Sequence, residues 1–348
     1  MLSTREFIKG GLLAAAGMAA GDAAAKEPAE KGIRFCVFAD IHYHPGTFPH
    51  STKEWLGRIL EHAAAEGCEF IIHCGDFCHN TVAYRDYVDY YNGFRLPTYH
   101  AIGNHDDDGT SHEETLKAYG LKQGHYFFDR GGFRFIVADP NYVRWGNGTC
   151  EHYSRGNYFR MKRERGDRIG VMPPEQLEWL RRTIDESPYP CVTFSHQSFE
   201  RPTGSACENY REVQAIFDAA NAKSPGKVRL AINGHHHCDN IRVHGQVVYF
   251  DLNSASYQWI GERLAHTKYP EDWRKANLIR QERTPFLAWD DPVHAIVTLT
   301  PSGGMKIEGM KSRFSCGVRP EDVGVGLDPC ARLTTPDVQS ADFTFRYA

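Results

Sequence analysis

Five short polar blocks hold the residues best suited to chemistry in this chain: Asp40-Ile41-His42, Gly75-Asp76, Gly103-Asn104-His105-Asp106, Ser195-His196-Gln197 and Gly234-His235-His236-His237. Each presents His, Asp or Asn where a run of apolar residues stops. Imidazole nitrogens together with carboxylate and amide oxygens suit borderline cations such as Zn, Mn and Fe, whereas Ca takes oxygen alone. One such block is an ordinary polar turn, because Gly and Asn tolerate the conformations that turns need. Five of them, each closing an apolar run, point to a metal centre assembled from distant segments.

The apolar runs are the elements that must position these blocks. IRFCVFAD reads as a buried strand, and STKEWLGRILEHAAAEG follows with helical spacing and Ser51 as N-cap. EFIIHCGD is the next strand. A helical stretch at residues 83–94, the short strand LPTYHAIGN, a helix at residues 113–119 and the paired strands HYFFDRGG and FRFIVADP come after it. Residues 141–172 break the rhythm as a polar, Gly-containing loop with Arg155, Arg160, Lys162, Arg163, Arg165 and Arg168. The helix PPEQLEWLRRTIDES, the strand YPCVTFSHQ, the helix CENYREVQAIFDAANA and the strands VRLAINGHHH and VHGQVVYFDLNS resume it. AIVTLTPSGGMKIEGM reads as a hairpin turning at Ser302-Gly303-Gly304, and from Lys311 onward the pattern assigns no fold. Alternating buried strands and helices imply an α/β architecture with functional residues gathered at strand ends.

D-x-H, G-D, G-N-H-D, a lone His and G-H-x-H, in this order over about residues 33–260, resemble the calcineurin-like metallophosphoesterase family. The resemblance implies two mixed β-sheets packed face to face and flanked by helices, a four-layer sandwich. It implies two divalent metal ions, Mn, Zn or Fe. Asp40, His42, Asp76 and His237 would hold one, and Asp76, Asn104, His196 and His235 the other, with Asp76 bridging. A hydroxide shared by the two ions is the implied nucleophile, His105 the acid that protonates the leaving oxygen, and Asp106 a residue that either orients His105 or caps the following loop. The expected activity is hydrolysis of a small-molecule phosphate ester. A nucleotide or cyclic-nucleotide phosphodiesterase is the narrower alternative, and a metal-binding scaffold that keeps the fold is the non-enzymatic one, although no ligand position is missing. The purple acid phosphatase branch has D-x-G and a tyrosine ligand after its G-D block; here His42 completes the first block and Phe77, Cys78 and His79 follow Asp76.

Two expectations concern details of these blocks. In an extended segment alternate side chains share a face, which would turn His235 and His237 inward and His236 aside. Cys74, Cys78, His73 and His79 invite a separate zinc site, but C-x₃-C without a second pair is weak support, and His73 and Cys74 read better as strand residues. The basic run in the loop at residues 141–172 reads either as a grip for a second anionic group or as a solvated face. Trp145, Tyr153, Tyr158, Phe159, Tyr257 and Trp259 would stack on a substrate or simply pin their segments.

A chain of 348 residues with a formal charge of −4 and 41% hydrophobic residues carries no global basic field for nucleic acid. Residues 1–30 read as a signal peptide: Arg5 and Lys9, an apolar run from Leu12 to Ala20 too short to span a membrane, and Ala23-Ala24-Ala25 as cleavage site. STREFIK resembles the twin-arginine export motif except at Thr4, and the expected location is periplasmic or secreted. The catalytic domain then covers residues 31–312 with its insertion at 141–172, and residues 313–348 form a tail. Ten cysteines are scattered rather than framed; Cys316 with Cys330, or Cys150 with Cys207, are the candidate bridges.

Overall fold

A computed structural model describes residues 32–44, 52–154, 156–166, 169–200, 206–259, 286–317, 319 and 335–347. The signal peptide, the Ser51 cap, Arg155, Arg168 and Cys330 lie outside the described residues, as does the side chain of Cys316. In chain order the elements are β1 (Ile33–Phe38), α1 (Thr52–Ala65), β2 (Phe70–Cys74), α2 (Arg85–Asn92), β3 (Thr98–Ala101), α3 (His112–Tyr119), β4 (Tyr126–Arg130) and β5 (Phe133–Val137). Next come β6 (Tyr142–Arg144), β7 (Cys150–His152), α4 (Tyr158–Arg165), α5 (Pro174–Asp185), β8 (Cys191–Ser195), α6 (Tyr210–Lys223) and β9 (Val228–Asn233). β10 (Asn240–His244), β11 (Val247–Asp251), β12 (Tyr257–Trp259), β13 (Phe286–Ala288), β14 (Ala295–Leu299), β15 (Gly304–Gly309) and β16 (Ala341–Thr344) complete the series.

Two six-stranded mixed sheets result, in the orders β16-β15-β14-β1-β2-β3 and β10-β11-β9-β8-β5-β4. β1, β2 and β3 run parallel, as do β5, β8, β9 and β11. The inner strands β1, β2, β5, β8, β9 and β11 are buried on both faces, and because alternate side chains point to opposite faces they read as unbroken apolar runs. Phe35 and Val37 of β1 and Phe70 and Ile72 of β2 meet Phe135 and Phe194 of the other sheet, with Phe70 and Phe135 rings 4.9 Å apart. Cys36, Phe38 and Ile71 point the opposite way, onto Leu56, Ile59 and Leu60 of α1 and Tyr87, Val88 and Tyr91 of α2. Ile136 and Cys191 do the same for α5 and α6 on the far side. The layers are helix, sheet, sheet and helix, as the resemblance implied.

The expected helices hold, with α3 closed by a Ser111–Glu114 capping box and a left-handed Gly120. The hairpin forms as read: β14 and β15 are antiparallel. Two segments differ from expectation. Residues 141–172 are not a plain loop, because β6 and β7 pair across the Asn147-Gly148 turn and α4 ends on left-handed Gly166. The tail also returns, as β16 pairs with β15 at the edge of the first sheet. Cys150 and Cys207 are free thiols rather than a bridge, and the Cys207 Sγ instead lies 3.2 Å from Asn209 Oδ1. Among the described residues no helix is long and apolar enough to cross a membrane.

Candidate metal centre

The parallel strands β1, β2, β3, β8 and β9 all run toward one end of the sandwich, and the five blocks follow their carboxyl ends. Asp40, His42, Asp76, His235 and His237 are the non-glycine residues with positive φ among those described, at 53°, 51°, 51°, 69° and 47°. Left-handed backbone costs an L-residue about 1–2 kcal/mol, so five such positions on five expected ligands mark strain gathered where function needs it. The glycines beside them are set by close packing. A Cβ on Gly103 would lie 2.1 Å from the Asp76 nitrogen, and one on Gly234 would lie 2.5 Å from Asp40 Oδ2.

Donor atoms from Asp40, His42 and His237 form one cluster, and those of Asp76, His196 and His235 a second. The Nε2 atoms of His42 and His237 face each other at 2.9 Å, while His237 Nδ1–H donates to the Tyr257 carbonyl at 2.6 Å. That bond leaves a lone pair on His237 Nε2, directed at another imidazole nitrogen, an arrangement that a cation between the rings would stabilise. His196 Nδ1–H donates to the Cys74 carbonyl at 2.8 Å and so presents Nε2, 3.1 Å from Asp76 Oδ2 and from His235 Nδ1. Asp76 Oδ2 is also 3.6 Å from His42 Nε2, which puts this carboxylate between the two clusters. Asn104 Oδ1 is buried without a hydrogen-bond partner, a costly state for an amide oxygen unless a cation takes it. The donor set therefore fits two metal ions.

His235 and His237 face this centre for a reason other than the expected one. The segment is not extended: β9 ends at Asn233, and left-handed turns at positions 235 and 237, with His236 N–H donating to the Gly234 carbonyl at 2.8 Å, aim the rings.

Charge in the centre is tightly coupled. Burial alone would raise the Asp76 carboxyl, but the imidazoles of His196, His105 and His42 hold it well below the usual carboxylate range. Burial would lower His196, yet the Asp76 carboxylate and its hydrogen bond lift it to about 9. Without metal His196 is thus protonated at neutral pH, and a cation at Nε2 must displace that proton. Metal affinity should tighten as pH rises toward about 9, by up to ~10-fold per unit, with proton release on binding. Competition with a chromophoric chelator between neutral and mildly alkaline pH measures this; a flat profile would contradict it.

His105 and Asp106 part company. His105 Nδ1–H donates to Asp108 Oδ2 at 2.5 Å, and its own backbone N–H donates to Asp76 Oδ1 at 2.8 Å. Of the two roles open to Asp106, it does not take the orienting one: its carboxylate is turned away from that ring. Its Oδ1 accepts the N–H groups of Phe77 and Cys78, and its Oδ2 accepts that of Gly103, at 2.8–3.0 Å. Asp106 thereby clamps the G-D loop to the G-N-H-D loop. The orienting carboxylate is that of Asp108, one turn beyond His105 on the 3₁₀ segment Asn104–Asp107 and its C-cap. Asp108 Oδ2 also meets His79 Nδ1 at 3.1 Å, and His79 Nε2 lies 3.3 Å from His42 Nδ1. Burial would lower His105, but Asp76 and Asp108 raise it to about 10.

The separate zinc reading of Cys74 and Cys78 does not assemble. His73 is buried in β2 and paired with His100 at 2.7 Å, and among the described residues the candidate metal clusters contain no cysteine.

Residues 33–239, more than half of the chain, match the family model for calcineurin-like phosphoesterases. The chain belongs to that family. A dimetal phosphatase from Danio rerio is similar in fold at 15% identity and a TM-score of 0.54, covering 82% of this chain and 99% of that one. A purple acid phosphatase from yellow lupin seeds aligns at 13% identity and a TM-score of 0.47, over 84% of this chain and 55% of that one. Among curated proteins no sequence matches at a significant level.

What this phosphoesterase adds to its blocks is the insertion. Val143, Trp145, Tyr153, Met161 and Ile169 form a small core of their own, so Trp145 and Tyr153 pin the segment. Three of its basic residues are engaged: the Arg160 guanidinium lies 3.7 Å from the Trp145 ring centre, Arg163 pairs with Glu164 and Arg165 with Glu208. Tyr153 reaches the loop that bears His105, its hydroxyl 3.4 Å from Asp108 Oδ1.

Proposed function

We propose that this calcineurin-like phosphoesterase hydrolyses a phosphate ester at a dinuclear centre. Asp40, His42, Asp76 and His237 would hold one divalent ion, and Asp76, Asn104, His196 and His235 the other. The observation that carries the reading is the pair of donor clusters meeting at Asp76, with the Asn104 carbonyl oxygen buried and unsatisfied beside them. Two bound cations supply Lewis acidity: they make water a nucleophile near neutral pH and neutralise charge that develops on phosphoryl oxygens. The chain's own residues do the rest. Asp76 fixes the separation of the clusters, and the Cys74 and Tyr257 carbonyls fix the tautomers of His196 and His237. His105, held through Nδ1 by Asp108 and with a side chain 30% exposed, keeps Nε2 free to protonate a leaving alkoxide. The test is turnover by the Mn- or Zn-loaded protein of p-nitrophenyl phosphate and its bis-ester; no turnover of either at full loading would refute the reading.

A narrower reading, a nucleotide ester as substrate, is favoured by Trp259. Its ring is 38% exposed and lies 6.3 Å from His105 and 6.2 Å from His42, beside the place where a leaving group would sit. Base stacking on an aromatic ring contributes about 1–3 kcal/mol. Trp259→Ala should therefore raise KM for nucleotide esters by roughly 10-fold while leaving small alkyl phosphates unaffected. Equal loss on both substrate types, read from steady-state kinetics, would remove the nucleotide reading and leave the phosphoesterase reading intact.

A further inference from the structure

We propose that Asp107, His112 and His152 form a third, mononuclear metal site of the zinc class, which ties the insertion to the loop bearing His105. It shares no residue with the two clusters around Asp76. Asp107 ends the 3₁₀ segment, His112 opens α3 and His152 closes β7, so three separate elements converge on it. Asp107 Oδ2 lies 3.2 Å from His112 Nδ1 and 3.6 Å from His152 Nδ1. Metal–ligand bonds of about 2.0–2.1 Å in a tetrahedron place neighbouring donors roughly 3.3 Å apart, in accord with both distances.

Four further observations favour a cation at this point. His152 Nε2 is 3.0 Å from Asp139 Oδ2, the carboxylate–histidine arrangement that puts the proton on Nε2 and leaves the Nδ1 lone pair for a metal. The Tyr153 carbonyl oxygen then stands 2.8 Å from that lone pair, a repulsive contact unless a cation lies between them, and it offers a fourth ligand. Asp107 is fully buried, and its Oδ1 has no hydrogen-bond partner. A doubly protonated His152 would satisfy Asp139 and the Tyr153 carbonyl without metal, but it would leave Asp107 Oδ1 unsatisfied, an atom that a cation reaches only if Asp107 chelates it through both oxygens. The His112 and His152 rings stack at 3.6 Å, a geometry that two imidazolium cations disfavour and two metal-bound neutral rings accept.

The experiment is Zn²⁺ titration of the metal-stripped full-length protein, followed by desalting and elemental analysis. Three equivalents are expected for the unmodified chain, two for His112→Ala, and a retained third-site equivalent in Asp76→Asn. Equal metal content in the unmodified chain and a His112→Ala variant with unchanged circular dichroism would overturn the proposal. Should that variant fail to fold, anomalous diffraction from zinc-loaded crystals of the unmodified protein decides: a peak between Asp107, His112 and His152 supports the site, and its absence overturns it. The same data report occupancy around Asp76 independently, so failure here is distinguishable from failure of the dinuclear reading.

Discussion

Asp76→Asn should lower kcat/KM by more than ~10³-fold, beyond the cost of removing a single electrostatic stabiliser, and should leave fewer than two metal equivalents at the dinuclear centre. The substitution is nearly isosteric. An amide oxygen can still accept the His105 backbone N–H that now bonds Oδ1, so the loop that presents Asn104 and His105 stays in place. What changes is Oδ2, the atom 3.1 Å from His196 Nε2 and 3.6 Å from His42 Nε2. An NH₂ group there aims protons at two donor nitrogens and carries no charge with which to hold two cations. Elemental analysis with steady-state kinetics reads both effects. Full metal content with unimpaired turnover would mean that Asp76 does not bridge.

His105→Ala should leave metal content unchanged and slow the hydrolysis of alkyl phosphates by roughly 10²- to 10⁴-fold, the range for a lost general acid. The leaving group gives this prediction its discrimination. With p-nitrophenyl phosphate the phenolate departs without a proton, so the loss should be far smaller; an equal loss on both substrates would assign His105 a structural role. Asp108→Asn separates orientation from proton transfer. The amide oxygen can still accept from His105 Nδ1, but one of the carboxylate charges that raise His105 is gone, that of Asp76 remaining. The acid would then lose its proton at lower pH, moving the alkaline limb of the pH–rate profile downward, with a loss of about 10-fold at neutral pH in keeping with residues that orient others.

The residues of the centre were readable because four of the five blocks follow strands buried on both faces, and such strands leave plain apolar runs. How those residues are held was not readable. His235, His236 and His237 look like an extended segment by pattern, yet the backbone passes through left-handed conformations at His235 and His237, which His adopts more often than most residues but still only in a small minority of cases. Asp106 stands next to His105 in sequence, but adjacent residues on a tight helical turn diverge, and position i+3 places Asp108 on the ring instead. The Asn147-Gly148 pair is a local hairpin signal that a reading of residues 141–172 as one polar loop leaves out. The return of residues 341–344 to the sheet edge depends on pairing with β15 more than thirty residues away, which no local pattern encodes. Tyr153 and His152 belong to the same class: their partners Asp108, Asp139 and Asp107 are distant in sequence.

The central claim is that two metal ions meeting at Asp76 perform phosphoester hydrolysis, and metal stripping with stepwise reconstitution tests it most directly. Stripped protein should be inactive toward p-nitrophenyl phosphate and its bis-ester. Activity toward at least one of them should return with Mn²⁺ or Zn²⁺ and reach its maximum only when both sites around Asp76 are filled. Turnover that persists in fully stripped protein, or none at full occupancy of both sites, would contradict the account.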